Sequence, residues 1–572
     1  MEVLNFENVE ILNLEIQHRD WTPIVKEDLP LILDIVKEDR MEGLYAVVDE
    51  MPPLISEDVE KIPSFSYDDE DDGDLVLPWK MDPDDWRAID DVKGGALDVK
   101  EVARARDTEM AYVHERRIYD YSTKDECRRV TGKNPINVRW VDTMKDSGIR
   151  ARLVAMEFRL KHEAAIFAGT PPLESMRALM RIAASGMGEE EPLCVMNLDV
   201  SRAHFYAKAK RAVYVALPPE DPRSQDPNVC GKLLFSMYGT RDAASNWEEE
   251  YSEFMGTLGM KKGVASPCHF YDEKEQIRIL VHGDDFLGVG TERQLRALVE
   301  KIMEQYEARY EIIGPAEHLQ KRTKIIGRFV TFTDEGIDIE VDPKYVQDAI
   351  KAYHLEDSNP VLSPAAKGKV ESREERSQML LRRVLGTSRR KQAQGDEEMG
   401  ELPEEDIDER VELQGEAATK YKSIAAKLNF VSPDRPEVLF ATKECMRAMA
   451  KPTDDDESKL VRLIRYLKGR PREVLRMPKN ADLDVVLVYV DADFAGCHRT
   501  RRSTCGGCIL WGGGMLKAWS KTITTLALSS GESELAAMTK GAAEGLGMQA
   551  VLEDLASRFG SRSIPMPQRR LA

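Results

Sequence analysis

The spacing of hydrophobic positions changes repeatedly along the first part of the chain, and each change predicts a different element. Two strands around an Asp-Ser-Gly turn are predicted by INVRWVDTMKDSGIRARLVAMEF, and a strand, a tight turn and a second strand by IRILVHGDDFLGVG. An amphipathic helix is predicted by TERQLRALVEKIMEQYE, in which Thr291 has the position of an N-cap. Its apolar stripe comprises Leu295, Leu298, Val299, Ile302 and Met303. Because such elements alternate from about residue 130 to 360, we expect an α+β fold.

The later part of the chain shows a helical segment followed by a second α/β unit. Residues 420–475 have helical spacing and a stop signal at Gly469 and Pro471. The apolar stripe of this segment comprises Leu460, Leu463, Ile464 and Leu467. From about residue 483, three strand-like runs (DVVLVYVDADFAG, STCGGCILWGGG and MLKAWSKT) precede one long helical pattern that ends in VLEDLA. A chain of 572 residues is too long for one compact core, so several domains are expected.

The net charge of −21 is distributed unevenly, and this changes its meaning for function. Residues 1–100 hold 28 acidic and 9 basic residues, whereas the rest of the chain holds 74 and 72. The nearly neutral body is compatible with basic tracks that contact phosphates, so the acidic balance does not exclude a nucleic-acid enzyme. The run SYDDEDDGD predicts that residues 1–100 form an acidic, largely disordered arm.

Composition also narrows the class of protein. No apolar run approaches the roughly 20 residues that cross a bilayer, and the N-terminus does not resemble a secretory signal, so no membrane association is expected. Eight cysteines in this length do not make a disulfide framework. Cys505 and Cys508 fit a glycine-rich hairpin, with a metal site as the alternative. The charged residues 366–415 predict a flexible insert, either a solvated linker or a segment that touches nucleic acid.

Three carboxylates stand where predicted strands end. Asp199 follows the apolar run of VMNLDVSRAHFYA, and Asp284 and Asp285 occupy the predicted hairpin tip of ILVHGDDFLGV. Adjacent carboxylates repel each other and are tolerated most easily where water or a cation neutralises them. Phosphoryl transfer to a 3′-hydroxyl uses such a cluster, because hard oxygen ligands suit Mg²⁺. Taken alone, each motif also fits an ordinary turn or strand end.

An ordered series of motifs resembles the reverse transcriptases of copia-type retrotransposons. The fingers of that family resemble RWVDTMKDSGIRARLVAMEF, and its palm motifs resemble NLDVSRAHFYAKAKRAVYVALPPE, LLFSMYGTRDAASNW and KIIGRFV. VHGDD stands where the family has Tyr-Val-Asp-Asp. The family's connection resembles the helical segment that begins YKSIAAKLNF, and its ribonuclease H domain resembles the segment that begins YVDADFAG. The resemblance covers roughly residues 105–555.

This resemblance implies a fold and a reaction. It implies a reverse-transcriptase palm, fingers and thumb, with fingers and palm at residues 101–365, a helical thumb or connection at 416–480 and a truncated ribonuclease H-like α/β domain at 481–572. It also implies RNA-directed DNA polymerase activity by two-metal nucleotidyl transfer. The catalytic carboxylates and metal ligands, for Mg²⁺ or Mn²⁺, would be Asp199, Asp284 and Asp285.

The same resemblance implies the residues of a nucleotide pocket. The incoming triphosphate would be held by Arg152, with Lys145 and Arg150 as alternatives, because basic side chains suit phosphate oxygens. His204 stands where the family has a large aromatic residue that excludes a ribose 2′-hydroxyl, so weaker sugar discrimination is expected. Two further residues are expected beside the pocket, Tyr238 and Gly239.

Several positions depart from the family pattern. His282 and Gly283 replace the Tyr-Val pair before the two aspartates, and Gly283 is expected to loosen the turn. Ala244 replaces a proline, and Glu157 stands where the family has a basic residue or glycine. A carboxylate at position 157 is expected to oppose phosphate binding, so these departures weaken the prediction of activity more than that of fold.

The ribonuclease H-like segment matches its family less completely. Asp491 matches the aspartate of the first strand, and Glu534 matches the glutamate of the helix. The family's next catalytic aspartate lies on a strand after the final helix, whereas here VLEDLA is followed by RFGSRSIPMPQRRLA, which contains no aspartate. Two carboxylates hold two cations poorly, so we expect this domain to be inactive as a nuclease.

Two functions remain open from the sequence. The first is the polymerase, with an RNA template, a DNA primer, an RNA–DNA hybrid, dNTPs and other retrotransposon polyprotein parts as partners, in a cytoplasmic virus-like particle, the nucleus or both. The second is a degenerate or domesticated remnant that binds nucleic acid or protein without catalysis. The intact Asp199, Asp284 and Asp285 favour the enzyme, whereas Glu157, Gly283 and the shortened ribonuclease H-like end favour the remnant.

Overall fold

A computed structural model of the chain describes residues 3–6, 9–13, 88–92, 94–145, 148–158, 168–365, 411–479, 483, 485–497 and 500–556. The chain divides into two compact units. The first takes in residues 1–339, 475–517 and 525–572, and the second takes in residues 340–474 and 518–524. Helices and mainly antiparallel sheets make this an α+β protein, as the sequence pattern predicted.

Strands and helices alternate along most of the described chain. The strands are β1 (Val3–Phe6), β2 (Val9–Asn13), β3 (Tyr119–Thr123), β4 (Val138–Lys145), β5 (Gly148–Ala155), β6 (Leu193–Val200), β7 (Tyr214–Val215), β8 (Val229–Leu233), β9 (Lys261–Lys262), β10 (His269–Asp272), β11 (Ile277–His282), β12 (Asp285–Thr291), β13 (Ala308–Ile313), β14 (Arg322–Ile325), β15 (Arg328–Thr333), β16 (Gly336–Val341), β17 (Leu475–Pro478), β18 (Val486–Ala492), β19 (Thr504–Trp511) and β20 (Gly514–Thr522). The α-helices are α1 (Val99–Glu115), α2 (Lys124–Thr131), α3 (Leu173–Ser185), α4 (Ala243–Thr257), α5 (Glu292–Gln305), α6 (Lys344–Ala352), α7 (Gly415–Val431), α8 (Leu439–Met446), α9 (Asp454–Gly469) and α10 (Ser530–Ala556).

A six-stranded sheet, called the palm sheet below, lies in the first unit. Its strands follow the order β13-β6-β12-β11-β10-β9, and neighbouring strands are antiparallel. Helices α4 and α5 pack apolar side chains against it, among them Trp247, Tyr251 and Leu295. The predicted stripe of α5 is confirmed for its four buried members, but Met303 is 46% exposed and lies off that face. The Thr291 N–H donates to the Gln294 side chain at 2.9 Å, which closes the predicted N-terminal cap.

The β4–β5 hairpin and helix α1 form a neighbouring part of the first unit. Helix α1 begins after Asp98, whose carboxylate accepts two backbone N–H groups of the first turn. Met110 and Val113 of α1 share an apolar cluster with Leu153 of β5 and with Phe205. The sequence predicted both strands of the hairpin, and the structure places their ends at Lys145 and Gly148.

A five-stranded sheet with the order β1-β2-β18-β19-β20 carries helix α10. Strands β18 and β19 and helix α10 follow the sequence prediction. Residues 3–13 do not, because they were predicted to lie in a disordered arm yet form two strands here. The backbone of β2 pairs in parallel with the free side of β18, from Val9 opposite Val486 to Asn13 opposite Val490. Residues 14–87 of the predicted arm lie outside the described part of the chain.

The second unit is built from helices α6 to α9. Its core contains Val346 of α6, Tyr421 of α7, Cys445 of α8 and the predicted stripe of α9. Because α6 packs with these helices, the helical unit starts before residue 365, where fingers and palm were predicted to end. Strand β17 corrects the other boundary: it pairs with β16 instead of continuing the predicted helical segment to residue 480. Of the predicted insert 366–415, residues 366–410 lie outside the described part of the chain.

The described helices were also searched for a membrane span. None of them is long and apolar enough to cross a bilayer.

Leu463 of α9 tests the core of the second unit. Its side chain is fully buried, so Leu463→Ala should remove apolar contacts and leave a cavity. We expect the free energy of unfolding to fall by roughly 2–5 kcal/mol in urea titrations of the full chain. Leu362→Ala is the matched control, since that leucine is 97% exposed. An equal loss of stability in both variants would contradict the proposed packing.

Candidate active site

The pairing of β6 with β12 brings the three predicted carboxylates to one place. Asp199, near the end of β6, is the direct cross-strand partner of Asp285, the first residue of β12. Asp284 lies in the turn just before β12, and its carbonyl oxygen accepts the N–H of Val200 at 2.9 Å. The sequence could place each carboxylate at a strand end, and the antiparallel register makes them neighbours.

The turn between β11 and β12 contains only Gly283 and Asp284, because His282 pairs directly with Asp285. Gly283 has a φ of +66°, a left-handed value that two-residue hairpin turns require and that glycine adopts without strain. This φ gives a conformational reason for glycine at position 283, and the expectation that Gly283 loosens the turn stays a prediction. The indole N–H of Trp247 on α4 also donates to the carbonyl oxygen of Gly283 at 2.8 Å and ties the turn to the palm core.

Burial and neighbouring charge raise the pKa values of Asp199 and Asp285. Burial and the neighbouring Asp284 raise the pKa of Asp199, although Arg150 and Arg152 act in the opposite direction. Burial, together with the charges of Asp284 and Asp199, raises the pKa of Asp285 to about 7. Such shifts mark a concentration of negative charge that a bound cation would relieve.

Hard oxygen donors in this arrangement suit Mg²⁺ or Mn²⁺. Among the residues described, no three or more His, Cys, Asp and Glu side chains converge as they stand into a ready metal site. Asp199 and Asp285 occupy facing backbone positions, so rotation of side chains, without movement of strands, would bring their oxygens to a shared ion. The backbone therefore fits the metals, and the side-chain rotamers shown are not those of a loaded site.

Two of the three predicted phosphate-binding residues lie beside the carboxylates. The guanidinium of Arg152 stacks 4.6 Å from the ring centre of Tyr238. Burial lowers the pKa of Arg150, and Asp199 is among the charges that oppose this shift, which places Arg150 near the carboxylates as well. Lys145 lies exposed at the end of β4 opposite Gly148. The basic residues that most affect the pKa of Asp199 are Arg150, Arg152 and Arg309.

His204 and Tyr238 form one wall of the expected nucleotide pocket. Their ring centres lie 4.6 Å apart at an angle of 52°. Burial lowers the pKa of His204 to about 4, so the imidazole is neutral at physiological pH. The Nδ1 atom of His204 and the hydroxyl of Tyr238 are buried and make no hydrogen bond within the described part of the protein. The hydrogen-bonding capacity of these two atoms is therefore unused within the described part of the protein.

Gly239 has a role that its sequence position did not reveal. It has a φ of +83°, and a Cβ atom built on it would collide with the carbonyl oxygen of Ala155. The N–H of Ala155 in turn donates to the carbonyl oxygen of Tyr238 at 2.8 Å. Glycine is required because the backbone of this turn lies directly against β5, which aligns Tyr238 with Arg152.

Glu157 does not present a free charge to the pocket. Its carboxylate pairs with the guanidinium of Arg211, with one N–O distance of 2.7 Å, and accepts the backbone N–H of Arg241 at 3.0 Å. Arg211 also pairs with Asp242 at 2.9 Å. Because Arg211 and the N–H of Arg241 engage the carboxylate, the expectation that Glu157 opposes phosphate binding loses support. The sequence offered no signal for this pairing, since Arg211 is 54 residues away.

A basic groove next to Asp199 was also missed. This cavity of about 660 Å³ is lined by β6, β13, β14 and β15 and contains Asp199 itself. Arg309 on β13, Arg322 and Lys324 on β14, and Phe329 on β15 contribute to its lining. The guanidinium of Arg322 lies 4.0 Å from the ring centre of Phe329. Cations and an aromatic surface in one groove suit a nucleic-acid backbone and its bases.

The turn that follows Asp199 is held by helix α1. Arg202 has a φ of +52°, which is costly for a residue with a Cβ atom. Its Nε donates to the buried carboxylate of Glu109 at 2.8 Å, and its guanidinium lies 4.2 Å from the ring centre of Tyr112. These contacts stabilise an unfavourable backbone conformation three residues after the carboxylate.

The ribonuclease H-like residues lie on the elements predicted for them. Asp491 is near the end of β18, and its Oδ1 is buried without a hydrogen-bond partner in the described part of the chain. Glu534 lies in the first turns of α10, the helix that packs on β18. Cys505 and Cys508 are three positions apart on β19, and side chains at that spacing point to opposite faces of a strand. The alternative of a metal site at this pair therefore loses support.

Comparison with known proteins agrees with this geometry. A family model described as reverse transcriptase (RNA-dependent DNA polymerase) matches residues 122–367, which contain all three carboxylates. The retrovirus-related Pol polyprotein from transposon TNT 1-94 of Nicotiana tabacum is 24% identical over 439 residues, 74% of this chain and 30% of that protein. Those from transposons RE1 and RE2 of Arabidopsis thaliana are 22% and 23% identical over 74% and 70% of this chain, and 26% and 25% of those proteins.

Residues 122–367 therefore match a reverse transcriptase domain. The chain is similar to the Pol polyproteins of copia-type retrotransposons. It spans between about a quarter and a third of the length of the curated relatives named above.

The hydrogen bond from Trp247 to the catalytic turn can be tested by Trp247→Phe. This change keeps an aromatic ring in the core and removes the N–H that Gly283 accepts. We expect a loss of about 1 kcal/mol in the free energy of unfolding, the typical net value of one such hydrogen bond. Amide exchange at residues 283–285 should rise more than in Tyr251→Phe, which changes a neighbouring ring of the same cluster. Unchanged exchange at the turn in both variants would contradict this role of Trp247.

Proposed function

We propose that this chain adds deoxynucleotides to a primer 3′-end with RNA as the template. The observation that carries this proposal is the register of β6 and β12, which sets Asp199 opposite Asp285 with Asp284 in the adjoining turn. The matched reverse transcriptase family supports the same reaction. Reverse transcriptases as a class use divalent metals such as Mg²⁺. Asp199, Asp284 and Asp285 would hold these ions, which when bound lower the pKa of the primer hydroxyl and stabilise the leaving pyrophosphate.

Arg152 and Arg150 would bind the triphosphate of the incoming nucleotide. Their proximity to Asp199 and Asp284 supports this role. A triphosphate would lie between the two arginines on one side and the carboxylate-bound metal ions on the other, and both sides would attract its negative charge. Stacking on Tyr238 restricts the Arg152 side chain and lowers the entropy that it loses on binding. The sugar of the nucleotide would then face His204.

The basic groove would hold one strand of the template–primer duplex. Arg309, Arg322 and Lys324 offer cations to phosphates, and the groove reaches Asp199, where a primer 3′-hydroxyl would have to be placed. An RNA template, a DNA primer, their hybrid, dNTPs and other parts of the Pol polyprotein are the partners that this proposal requires. The reaction would take place in a virus-like particle in the cytoplasm, in the nucleus or in both.

The proposal includes no nuclease activity for the C-terminal sheet. Asp491 and Glu534 are its two matched carboxylates. The adjacent Asp493 is occupied, because it accepts the N–H groups of Gly496 and Thr504 at 3.3 and 2.7 Å. Two remaining carboxylates are a weak donor set for two cations. RNA in a hybrid should therefore stay intact, and cleavage abolished by Glu534→Gln would contradict this part of the proposal.

The polymerase is tested by primer extension on poly(rA)–oligo(dT) with Mg²⁺ or Mn²⁺. Asp284→Asn removes a negative charge from the proposed metal site and should reduce incorporation by at least about a thousandfold. Asp334→Asn is the control, because Asp334 is exposed in the turn between β15 and β16. Absence of incorporation by folded wild-type protein would favour the rival, a remnant that binds without catalysis.

His204 is tested by comparing deoxynucleotide with ribonucleotide incorporation. His204→Phe introduces the larger ring that the family has, and should raise discrimination against ribonucleotides by roughly tenfold or more. His204→Ala enlarges the pocket and should lower discrimination below that of the wild type. The ratio of kcat/KM for dTTP and UTP measures the effect, and an identical ratio in all three proteins would show that His204 does not contact the sugar.

A further inference from the structure

The palm sheet contacts a C-terminal module, defined here as the described residues of 486–517 and 530–556. Helix α10 of this module packs on β10 of the palm sheet and on helix α3. Helix α3 also packs on β6, β11 and β12, the strands that carry the catalytic carboxylates. The module therefore reaches the active-site strands through two routes, one direct and one through α3.

The direct route ends at Asp554 in the last turn of α10. Its carboxylate accepts three consecutive backbone N–H groups, from Val264 at 2.8 Å and from Ala265 and Ser266 at 2.9 Å, in the loop before β10. Gly263 precedes these residues, and a Cβ atom built there would collide with the carboxylate. A carboxylate is unfavourable near the C-terminal end of a helix, so these external donors supply the stabilisation that the helix does not.

Two buried residues of the palm sheet complete this contact. His269 on β10 is 1% exposed and lies 3.5 Å from the Asp554 carboxylate. Arg278 on β11 is 3% exposed, and its Nε donates to the carbonyl oxygen of Leu555 at 3.1 Å. This carbonyl belongs to the last turn of α10. A buried arginine of the palm sheet thus caps the helix of the module.

The second route uses buried arginines of α3. Arg177 and Arg181 are 2% and 0% exposed, and they donate to the carbonyl oxygens of Leu516 at 2.9 Å and Gly512 at 3.1 Å. Gly512 lies so close that a Cβ atom would come within 2.7 Å of the Arg181 Nε. Burying a guanidinium is costly unless its donors are satisfied. The carbonyl oxygen of Gly512 satisfies the Nε of Arg181, whereas its two terminal nitrogens are buried without a hydrogen-bond partner in the described part of the chain. These two contacts tie α3 to the module.

Lys517 joins the same route to helix α10. Its ammonium pairs with Glu174 of α3 at 2.7 Å and with Glu544 of α10 at 2.9 Å. These groups form a half-buried ion cluster across the contact, in which Lys540 of α10 also pairs with Glu544 at 2.7 Å. Removal of any one partner would leave an uncompensated charge, which costs more than the intact cluster contributes.

We propose that the C-terminal module is a structural part of the polymerase, which holds α3, β10 and β11 in place and thereby supports the turn that carries Asp284 and Asp285. This function needs no nuclease chemistry and none of the carboxylates matched to ribonuclease H. The activity arm of its test rests on the proposed polymerase function, whereas the hydrogen-exchange arm does not.

The test compares Asp554→Ala with Glu553→Gln in the full chain. Asp554→Ala removes the acceptor of three N–H groups, whereas Glu553 is the exposed neighbour on the same turn. We expect amide exchange in β10 and β11 to rise at least about tenfold in Asp554→Ala only, since hydrogen bonds to a charged group are worth more than a factor of ten. In primer extension, kcat should fall and the KM for dNTP should stay unchanged. The substitution would displace the turn that carries Asp284 and Asp285, but not Arg150 and Arg152, which are proposed to bind the triphosphate.

Two further variants separate the alternatives. Lys517→Met should raise exchange in α3 by the second route, and Asp491→Asn should leave both exchange and primer extension unchanged. If Asp554→Ala does not fold, Asp554→Asn, which keeps one acceptor oxygen, is judged by the same criteria. Faster exchange confined to α10, with β10, β11 and α3 unchanged, would overturn the proposal even if the polymerase were inactive.

Discussion

The antiparallel pairing of β6 with β12 is the constraint on which the site depends. It sets Asp199 opposite Asp285 and leaves room for only two residues in the adjoining turn. Burial and the charge of Asp284 raise the pKa values of Asp199 and Asp285, and the well-packed sheet offsets that cost. Several features maintain this geometry. The indole of Trp247 donates to the turn, Arg202 pairs with Glu109 just after β6, and Gly283 adopts the positive φ that the turn needs.

Charge compensation then defines what surrounds the carboxylates. Arg150 and Arg152 lie on the β4–β5 side, and the basic groove lies toward β13 and β14. Arg211 pairs with both Glu157 and Asp242 and offsets part of their negative charge. Glu157 therefore argues less strongly for a decayed site than it does when it is considered alone.

Much of this fold follows from local patterns. The β4–β5 hairpin, the β11–β12 hairpin, helix α5 and the stripe of α9 were all predictable, because period-two and helical spacing are properties of neighbouring residues. The local pattern placed each carboxylate at the end of a strand. The order of the motifs along the chain then indicated that the three act together in one site. The partners of Glu157, Gly283 and Asp554 were not predictable, because each lies tens to hundreds of residues away. The pairing of β2 with β18 was missed for the same reason, since no local pattern specifies which strand edge is free.

The central claim is that Asp199, Asp284 and Asp285 share one cation site. Ferrous iron can replace Mg²⁺ at oxygen-ligand sites and, with ascorbate and peroxide, cleaves the backbone next to where it binds. The account predicts cleavage near residues 199–200 and 283–285 in the wild type, suppressed by excess Mg²⁺ and lost in Asp285→Asn. Cleavage elsewhere only, or cleavage at these residues that neither Mg²⁺ nor the substitution affects, would contradict it.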